Sequence, residues 1–278
     1  MPFTVEPRHR SGTGDPLVLL HGFTGTWRMW APVLPALERR FDVLAPTLGG
    51  HCGAEAWPAD REPTVAALAD AAEAELDAAG FETAHIAGNS LGGWLALELA
   101  KRGRARSVIG LAPAGGWNEG DDREQRRLKG FFHRTRKLTE LAHPRARVLV
   151  TRPGLRKLMF RDVMEHGERL KPGDALHMMQ GVLECSVFFD FVEAVIRDGP
   201  AVALEDISCP VLLAWCEKDK IFPIDRYEKA FAGVAGVEVT RLPGCGHLPM
   251  ADDPELVTRT IADFATRHAG VAAEPVSG

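Results

Sequence analysis

Short apolar runs alternate along the chain with longer amphipathic stretches. The runs are rich in Val, Ile and Leu, which is typical of strands buried on both faces of a parallel sheet. The stretches between them favour helices that cover such a sheet. The pattern predicts strands at Pro16–Leu20, Phe41–Ala45, Thr83–Ala87, Ser107–Leu111, Val211–Trp215 and Val237–Arg241.

Two of the intervening stretches carry clear helix signals. Pro63–Gly80 places its apolar residues on one stripe and stops at a glycine. A second helix opens at Pro254 and repeats its apolar positions at Val257, Ile261 and Phe264. Proline at a helix start, glycine at its end and spacings of three and four are all expected of helices that cover a core.

The alternation fails between about residues 117 and 200. No strand candidate bounded by turn signals occurs there, and Arg123–Leu141 and Ala175–Arg197 read as helices. We therefore expect a helical insertion rather than a second sheet. The predicted division is a core of residues 1–116 and 201–270, a helical subdomain of residues 117–200, and a disordered tail of residues 271–278.

Composition narrows the class of protein. With 278 residues, 45% of them apolar, the chain can bury one substantial core with an insertion. A formal net charge of -5 makes nucleic acid a poor partner. No apolar run approaches the length of a membrane span, and the N-terminus lacks the pattern of a signal peptide, so we expect a cytoplasmic protein. We expect it to be a monomer or a homodimer. Five cysteines without metal-type spacing predict reduced, structural thiols and no zinc site.

The sharpest local motif is Gly88-Asn-Ser-Leu-Gly92, between the strand ending at Ala87 and a helix-like run that begins at Trp94. Gly-x-Ser-x-Gly at a strand-to-helix junction forms a tight turn that exposes the serine hydroxyl above the sheet. Free N–H groups at the helix start favour negative charge there. The motif predicts Ser90 as a nucleophile.

A second motif, His21-Gly-Phe-Thr-Gly25, follows the first predicted strand directly. A tetrahedral oxyanion needs two donors. The backbone N–H of Leu91, next after the nucleophile, can supply one, and that of Phe23 can supply the other. Without the serine motif, a strand-ending turn with a hydrogen-bonded histidine would be the better explanation of these residues.

Two further polar residues follow late strands. Asp219 lies beyond Val211–Trp215, and His247 lies beyond Val237–Arg241. The C-terminal ends of parallel strands share one edge of the sheet, so both should lie near Ser90. A serine hydroxyl needs a base, and the imidazole needs a carboxylate to hold its tautomer. The spacing predicts Ser90 as nucleophile, His247 as general base and Asp219 as the orienting acid.

From His21-Gly22 to Gly246-His247 the chain resembles the α/β-hydrolase superfamily, with the Ser90 turn as its nucleophile elbow. The resemblance implies an α/β fold: a mostly parallel, doubly wound sheet of about seven strands with a helical cap inserted over the active site. It also implies a cofactor-free hydrolase that acts on a small molecule through an acyl-enzyme. Cys216, where relatives often carry glycine, and the unusual loop around His51 and Cys52 depart from the family pattern.

The residues around the elbow rank the possible activities. Haloalkane dehalogenases and epoxide hydrolases of the superfamily place aspartate where this chain has Ser90, which disfavours both activities. Asn89 resembles the elbow of hydrolases that cleave carbon–carbon bonds in ring-fission products. Those enzymes commonly carry tryptophan after the catalytic histidine, however, and Leu248 occupies that position here. Asn89, Trp94 and Leu248 are the candidates for substrate contact.

Basic residues crowd the front of the insertion between Arg123 and Arg161. An arginine there could reach the pocket and pair with a substrate carboxylate through its planar fork. A solvated helix face is the commoner meaning of such a run and is favoured.

Three functions remain open. The first is a serine esterase or related acyl hydrolase that cleaves a small, largely apolar substrate. The second is a carbon–carbon bond hydrolase of the meta-cleavage-product type, or a haloperoxidase-like enzyme, with the same triad. The third is a non-catalytic ligand-binding protein on a hydrolase scaffold.

Overall fold

A computed structural model of the chain describes residues 6–116, 122–198, 206–227 and 236–269. Seven strands form one sheet. Six of them lie at or near their predicted positions, and the first strand was not predicted. The strands are β1 Arg8–Ser11, β2 Asp15–Leu20, β3 Phe41–Pro46, β4 Ala84–Asn89, β5 Ala105–Leu111, β6 Val211–Cys216 and β7 Val237–Leu242.

The sheet order is β1-β3-β2-β4-β5-β6-β7. Only β1 is antiparallel to its neighbour, and every other pair is parallel. Strand β3 lies on one side of β2, and strands β4 to β7 follow in order on the other side. The mostly parallel, doubly wound α/β fold is therefore confirmed. Strand β4, which leads into Ser90, is buried along its whole length.

Helices cover the sheet and fill the insertion. The described α-helices are α1 Leu34–Leu37, α2 Val65–Ala79, α3 Leu91–Lys101, α4 Asp122–Ala142, α5 Ala146–Leu149, α6 Pro153–Phe160, α7 Pro172–Glu184, α8 Phe188–Asp198, α9 Ile224–Tyr227, α10 Pro249–Asp252 and α11 Pro254–Arg267. Short 3-10 turns occupy Trp27–Trp30, His143–Arg145 and Gly167–Arg169.

Helix α2 shows how local sequence sets these bounds. The side chain of Thr64 accepts a hydrogen bond from Ala67 N at 3.1 Å and thereby caps the helix start. Gly80 closes the helix with φ +75°, a left-handed conformation that suits glycine. The apolar stripe of the helix, which includes Leu68 and Leu76, is fully buried against the sheet.

The inserted helices α4–α8 all lie between β5 and β6, and no strand occurs among residues 122–198. The cap therefore matches the helical insertion that the sequence predicts. The exact boundaries 117–200 stay a prediction, because residues 117–121 and 199–205 lie outside the described ranges, as does the predicted tail 271–278. All five cysteines are buried and free.

Candidate active site

Ser90 lies in the sharp turn between β4 and α3. Its backbone angles, φ 56° and ψ -117°, are strained for a residue with a Cβ atom. The glycines on either side are required by close packing: a Cβ on Gly88 would lie 2.0 Å from the Gly92 carbonyl oxygen, and one on Gly92 would lie 2.0 Å from that of Leu20. The turn therefore has the geometry of a nucleophile elbow, with the serine half-buried at its apex.

Asp219 and His247 form a buried pair at the same edge of the sheet. His247 Nδ1 and Asp219 Oδ2 are 2.7 Å apart, and the two side chains are 5% and 0% exposed. The other carboxylate oxygen, Oδ1, accepts hydrogen bonds from the N–H groups of Ile221 at 2.7 Å and Phe222 at 2.8 Å. With the carboxylate ionised, Nδ1 carries the proton, which leaves Nε2 able to accept one.

Asn89 joins the loop of His247 to the elbow. Its side-chain Nδ2 donates to the carbonyl oxygen of His247 at 2.9 Å and to that of Leu111 at 3.0 Å. The Phe222 ring lies 5.2 Å from the His247 ring, and Phe222 and Ser90 line the same pocket. Among the residues that the structure describes, the Ser90 hydroxyl and the His247 ring are not hydrogen-bonded to each other. The structure thus brings the predicted acid and base into direct contact and places the predicted nucleophile in the pocket that Phe222 also lines.

The two predicted oxyanion donors are the N–H groups of Phe23 and Leu91. The turn after β2 is closed by a hydrogen bond from Gly25 N to Gly22 O at 2.9 Å. Among the described backbone hydrogen bonds of turns and loops, none is donated by Phe23 or Leu91. Leu91 is the first residue of α3, so its N–H has no partner within the helix. Both donors are therefore available for a ligand.

His21 fixes the shape of this turn. Leu48 N donates to His21 Nε2 at 2.9 Å, so Nδ1 carries the proton and donates to Gly22 O at 2.8 Å. Burial holds the pKa of His21 well below its usual value, and the repulsion that a protonated His51 would exert on a protonated His21 lowers it further. Burial likewise lowers the pKa of His51 to about 4. Both rings are neutral at pH 7, which suits a role in holding the loop.

An apolar pocket opens above Ser90 between the core and the cap, with about 550 Å³ of empty space that includes open solvent at its mouth. The core contributes Phe23, Ser90, Leu91, Trp94, Ala114 and Phe222. Helix α4 contributes Gln125, Leu128, Lys129 and Phe132. Helix α8 contributes Phe191, Val192, Val195 and Ile196. Nearly all of the wall is hydrocarbon, so the pocket suits an apolar ligand group.

The predicted substrate contacts lie in different places. Trp94 lines the pocket, whereas Asn89 is fully buried beneath the elbow and its amide is used by backbone carbonyls. Leu248 is buried away from the wall, and its N–H donates to Val163 O at 2.8 Å. The cap residue with a cationic group at the wall is Lys129, which pairs with Glu193 of α8 at 2.5 Å.

Sequence reasoning missed Gln125 and Lys129 as pocket residues. Both lie one helical turn apart on α4, together with Leu128 and Phe132, so the apolar stripe of that helix was the available signal. In the part of the chain that the structure describes, His, Cys, Asp and Glu side chains do not gather in threes to hold a metal. Nor does any described helix have the length and apolar character needed to cross a membrane.

Comparison with known proteins places this geometry in a family. A protein named epoxide hydrolase EphH from Mycobacterium tuberculosis is 35% identical over 202 residues, which cover 72% of this chain and 94% of that protein. A 2-hydroxymuconate semialdehyde hydrolase from a Pseudomonas species is 38% identical over 112 residues, which are 38% of this chain and 39% of that protein.

Among solved structures, an esterase from Thermogutta terrifontis superposes with a TM-score of 0.74 at 22% identity and covers 94% of this chain and 93% of its own. At that identity the likeness concerns the fold. The model of the alpha/beta hydrolase family matches residues 17–260, a range that runs from β2 into α11 and contains the elbow and the buried acid–base pair. The chain belongs to the alpha/beta hydrolase family.

Proposed function

We propose that this chain is a serine hydrolase that cleaves an ester or related acyl bond through an acyl-enzyme. The observation that carries the proposal is the pairing of His247 with Asp219, at 2.7 Å, beside the pocket that Ser90 lines. The Asp219 carboxylate is fully buried, accepts two backbone N–H groups on Oδ1 and faces the imidazole with Oδ2. It is built to hold one tautomer of the histidine.

In this mechanism His247 Nε2 takes the proton of the Ser90 hydroxyl as the oxygen attacks the substrate carbonyl. The tetrahedral oxyanion is stabilised by the N–H groups of Phe23 and Leu91, and Asp219 stabilises the imidazolium that forms. His247 then gives its proton to the leaving group. A water molecule, activated by the same histidine, hydrolyses the acyl-enzyme.

The composition of the pocket wall supports an apolar substrate. Five aromatic rings, those of Phe23, Trp94, Phe132, Phe191 and Phe222, face an acyl or alcohol group that should be apolar. The polar side chains of the wall besides Ser90 are those of Gln125 and Lys129 on α4, and the Lys129 side chain is 41% exposed. We infer that a polar end of the substrate faces the solvent side of the pocket.

The name of one relative raises epoxide opening as an alternative, and Ser90 argues against it. Attack of a serine oxygen on an epoxide carbon would form an ether, which has no carbonyl for the oxyanion donors and is not released by water. Opening also requires a proton donor to the epoxide oxygen. The chain has a single tyrosine, Tyr227, and its hydroxyl donates to Glu124 outside the pocket wall.

Carbon–carbon hydrolysis is the second candidate, because the ring-fission relative shares part of the chain and Asn89 resembles its class of elbow. The Asn89 amide is bound to two backbone carbonyls, however, which leaves it unable to donate to a substrate. We therefore rank ester cleavage first.

The test combines a fluorophosphonate probe with a substrate panel. We expect stoichiometric labelling of the wild type that is lost in Ser90→Ala and retained in Ser11→Ala, an exposed serine on β1. p-Nitrophenyl esters of increasing acyl length should be turned over in preference to a ring-fission product and to an aryl epoxide. Absence of labelling on folded wild type would favour the ligand-binding alternative. More than about a tenth of activity left in Ser90→Ala would refute the nucleophile assignment.

A further inference from the structure

The start of cap helix α4 carries a buried carboxylate. Glu124 is 6% exposed, receives a hydrogen bond from the Tyr227 hydroxyl of α9, and pairs with Arg226 at 3.2 Å. Burial raises the pKa of Glu124, but hydrogen bonds from Arg127 and Tyr227 outweigh it, so the pKa lies below its usual value. The carboxylate is therefore ionised and holds the cap helix to the core.

Arg127, one turn further along α4, connects this carboxylate to the catalytic acid loop. Its Nε donates to both Glu124 oxygens at 2.9 Å, and its Nη2 donates to the carbonyl oxygen of Ile221. That carbonyl belongs to the peptide unit between Ile221 and Phe222. The N–H of the same unit, that of Phe222, donates to Asp219 Oδ1 at 2.8 Å.

The two ends of one peptide unit therefore touch Arg127 and Asp219. In a trans peptide the C=O and N–H groups point in opposite directions, so a donor that fixes the carbonyl also fixes the direction of the N–H. A cationic donor on the carbonyl further polarises the unit and strengthens its N–H as a donor to the carboxylate. Asp219 then presents its other oxygen to His247 Nδ1 at 2.7 Å.

We infer that Arg127 is a positioning residue for the catalytic acid, acting from the cap through the Ile221–Phe222 peptide. The inference rests on the proposed serine hydrolase function. Arg127 does not belong to the pocket wall, although Leu128 beside it and Gln125 do. Docking of the cap helix and alignment of Asp219 are thus one event: the helix that forms the substrate wall also sets the acid that orients the general base.

The inference predicts a particular kinetic effect. Arg127→Met should lower kcat by roughly 5- to 50-fold, the effect of losing a charge-assisted hydrogen bond that serves the transition state. KM should change less than about threefold, because no substrate contact is removed. Arg127→Lys keeps a cationic donor and should recover part of the loss. Glu124→Gln keeps the shape of the anchor but weakens its hold on Arg127, and should fall between wild type and Arg127→Met.

The experiment measures kcat and KM on the best p-nitrophenyl ester and the rate of fluorophosphonate labelling for wild type and these variants. Arg123→Met, an exposed position on the same helix, is the matched control and should behave as wild type. Thermal unfolding of each variant gives the folded fraction, to which kcat is normalised. If Arg127→Met does not fold, Arg127→Lys and Glu124→Gln decide.

A reduced kcat with constant KM, partly restored by lysine, supports the inference. An unchanged kcat in folded Arg127→Met, an equal loss in Arg123→Met, or a change confined to KM would overturn it. Failure of the proposed function is a separate result, because it would show in the wild type itself as an absence of both labelling and turnover.

Discussion

Replacing Ser90 by glycine should make the protein more stable while abolishing catalysis. Ser90 has φ 56° and ψ -117°, a conformation that glycine adopts without the clash of a Cβ atom. The serine side chain makes no capping hydrogen bond at the start of α3, so little is lost with the hydroxyl. We therefore expect the backbone strain at the elbow to arise from the Cβ atom of Ser90.

The magnitude follows from two opposing terms. A non-glycine residue in a sparsely populated backbone region costs about 1–3 kcal/mol. Glycine at the same position loses about 0.5–1 kcal/mol through the greater entropy of the unfolded chain. The net gain in the free energy of unfolding should be about 0.5–2 kcal/mol. For a chain of this size that is a rise in Tm of about 1–5 °C.

Ser90→Ala is the matched control, because alanine removes the hydroxyl but keeps the Cβ atom. Its stability should lie within about 0.5 kcal/mol of the wild type. Urea unfolding followed by circular dichroism, with calorimetry for Tm, compares the three proteins, and ester turnover confirms that both variants are inactive. Equal stabilities of Ser90→Gly and Ser90→Ala would refute the reasoning, as would a glycine variant less stable than wild type.

Three further outcomes are expected. Asp219→Asn should lower kcat/KM by about 10⁴-fold, whereas Asp225→Asn, on an exposed position, should stay near wild type; the reverse order would reassign the acid. Burial lowers the pKa of His51 to about 4, so at pH 5 the ring is neutral in the folded protein, whereas in the unfolded chain it is protonated below about pH 6.5. The free energy of unfolding should therefore be full above pH 6.5 and fall by about 2 kcal/mol at pH 5 from this group alone. Urea midpoints that stay constant over that range would contradict this. Gly92→Ala places a Cβ 2.0 Å from a carbonyl oxygen of β2 and should lower the free energy of unfolding, measured in urea, by about 2 kcal/mol or more. Gly130→Ala, which has open space around it, should not lower it. Equal effects of the two substitutions would contradict the packing argument.

The sequence alone determined the layers of the fold. Parallel strands buried on both faces require continuous apolar runs, so β2 to β6 are visible in the one-dimensional pattern. The edge strand β7 is mostly unburied and is visible only through its β-branched residues Val237, Val239 and Thr240. Strand β1 escaped prediction because its four residues, Arg8–Ser11, are all polar and mostly exposed, so neither burial nor strand propensity marks them. The elbow was also readable, since two glycines and a serine at a strand end are a local steric requirement.

The meeting of Asp219 with His247 was predicted from the strand order, but tertiary structure alone decided the other buried polar contacts around the site. Arg127 and the Ile221 carbonyl are 94 residues apart, and Asn89 and the His247 carbonyl are 158 residues apart. Contacts of this kind depend on the register of the sheet and on where the cap helices dock, and neither leaves a periodic signal. The same reason explains Asn89: its sequence position suggested substrate contact, but the buried carbonyls of Leu111, at the end of β5, and of His247 require its amide. Local sterics and burial are written along the chain, whereas the pairing of buried polar groups is fixed only when distant segments pack together.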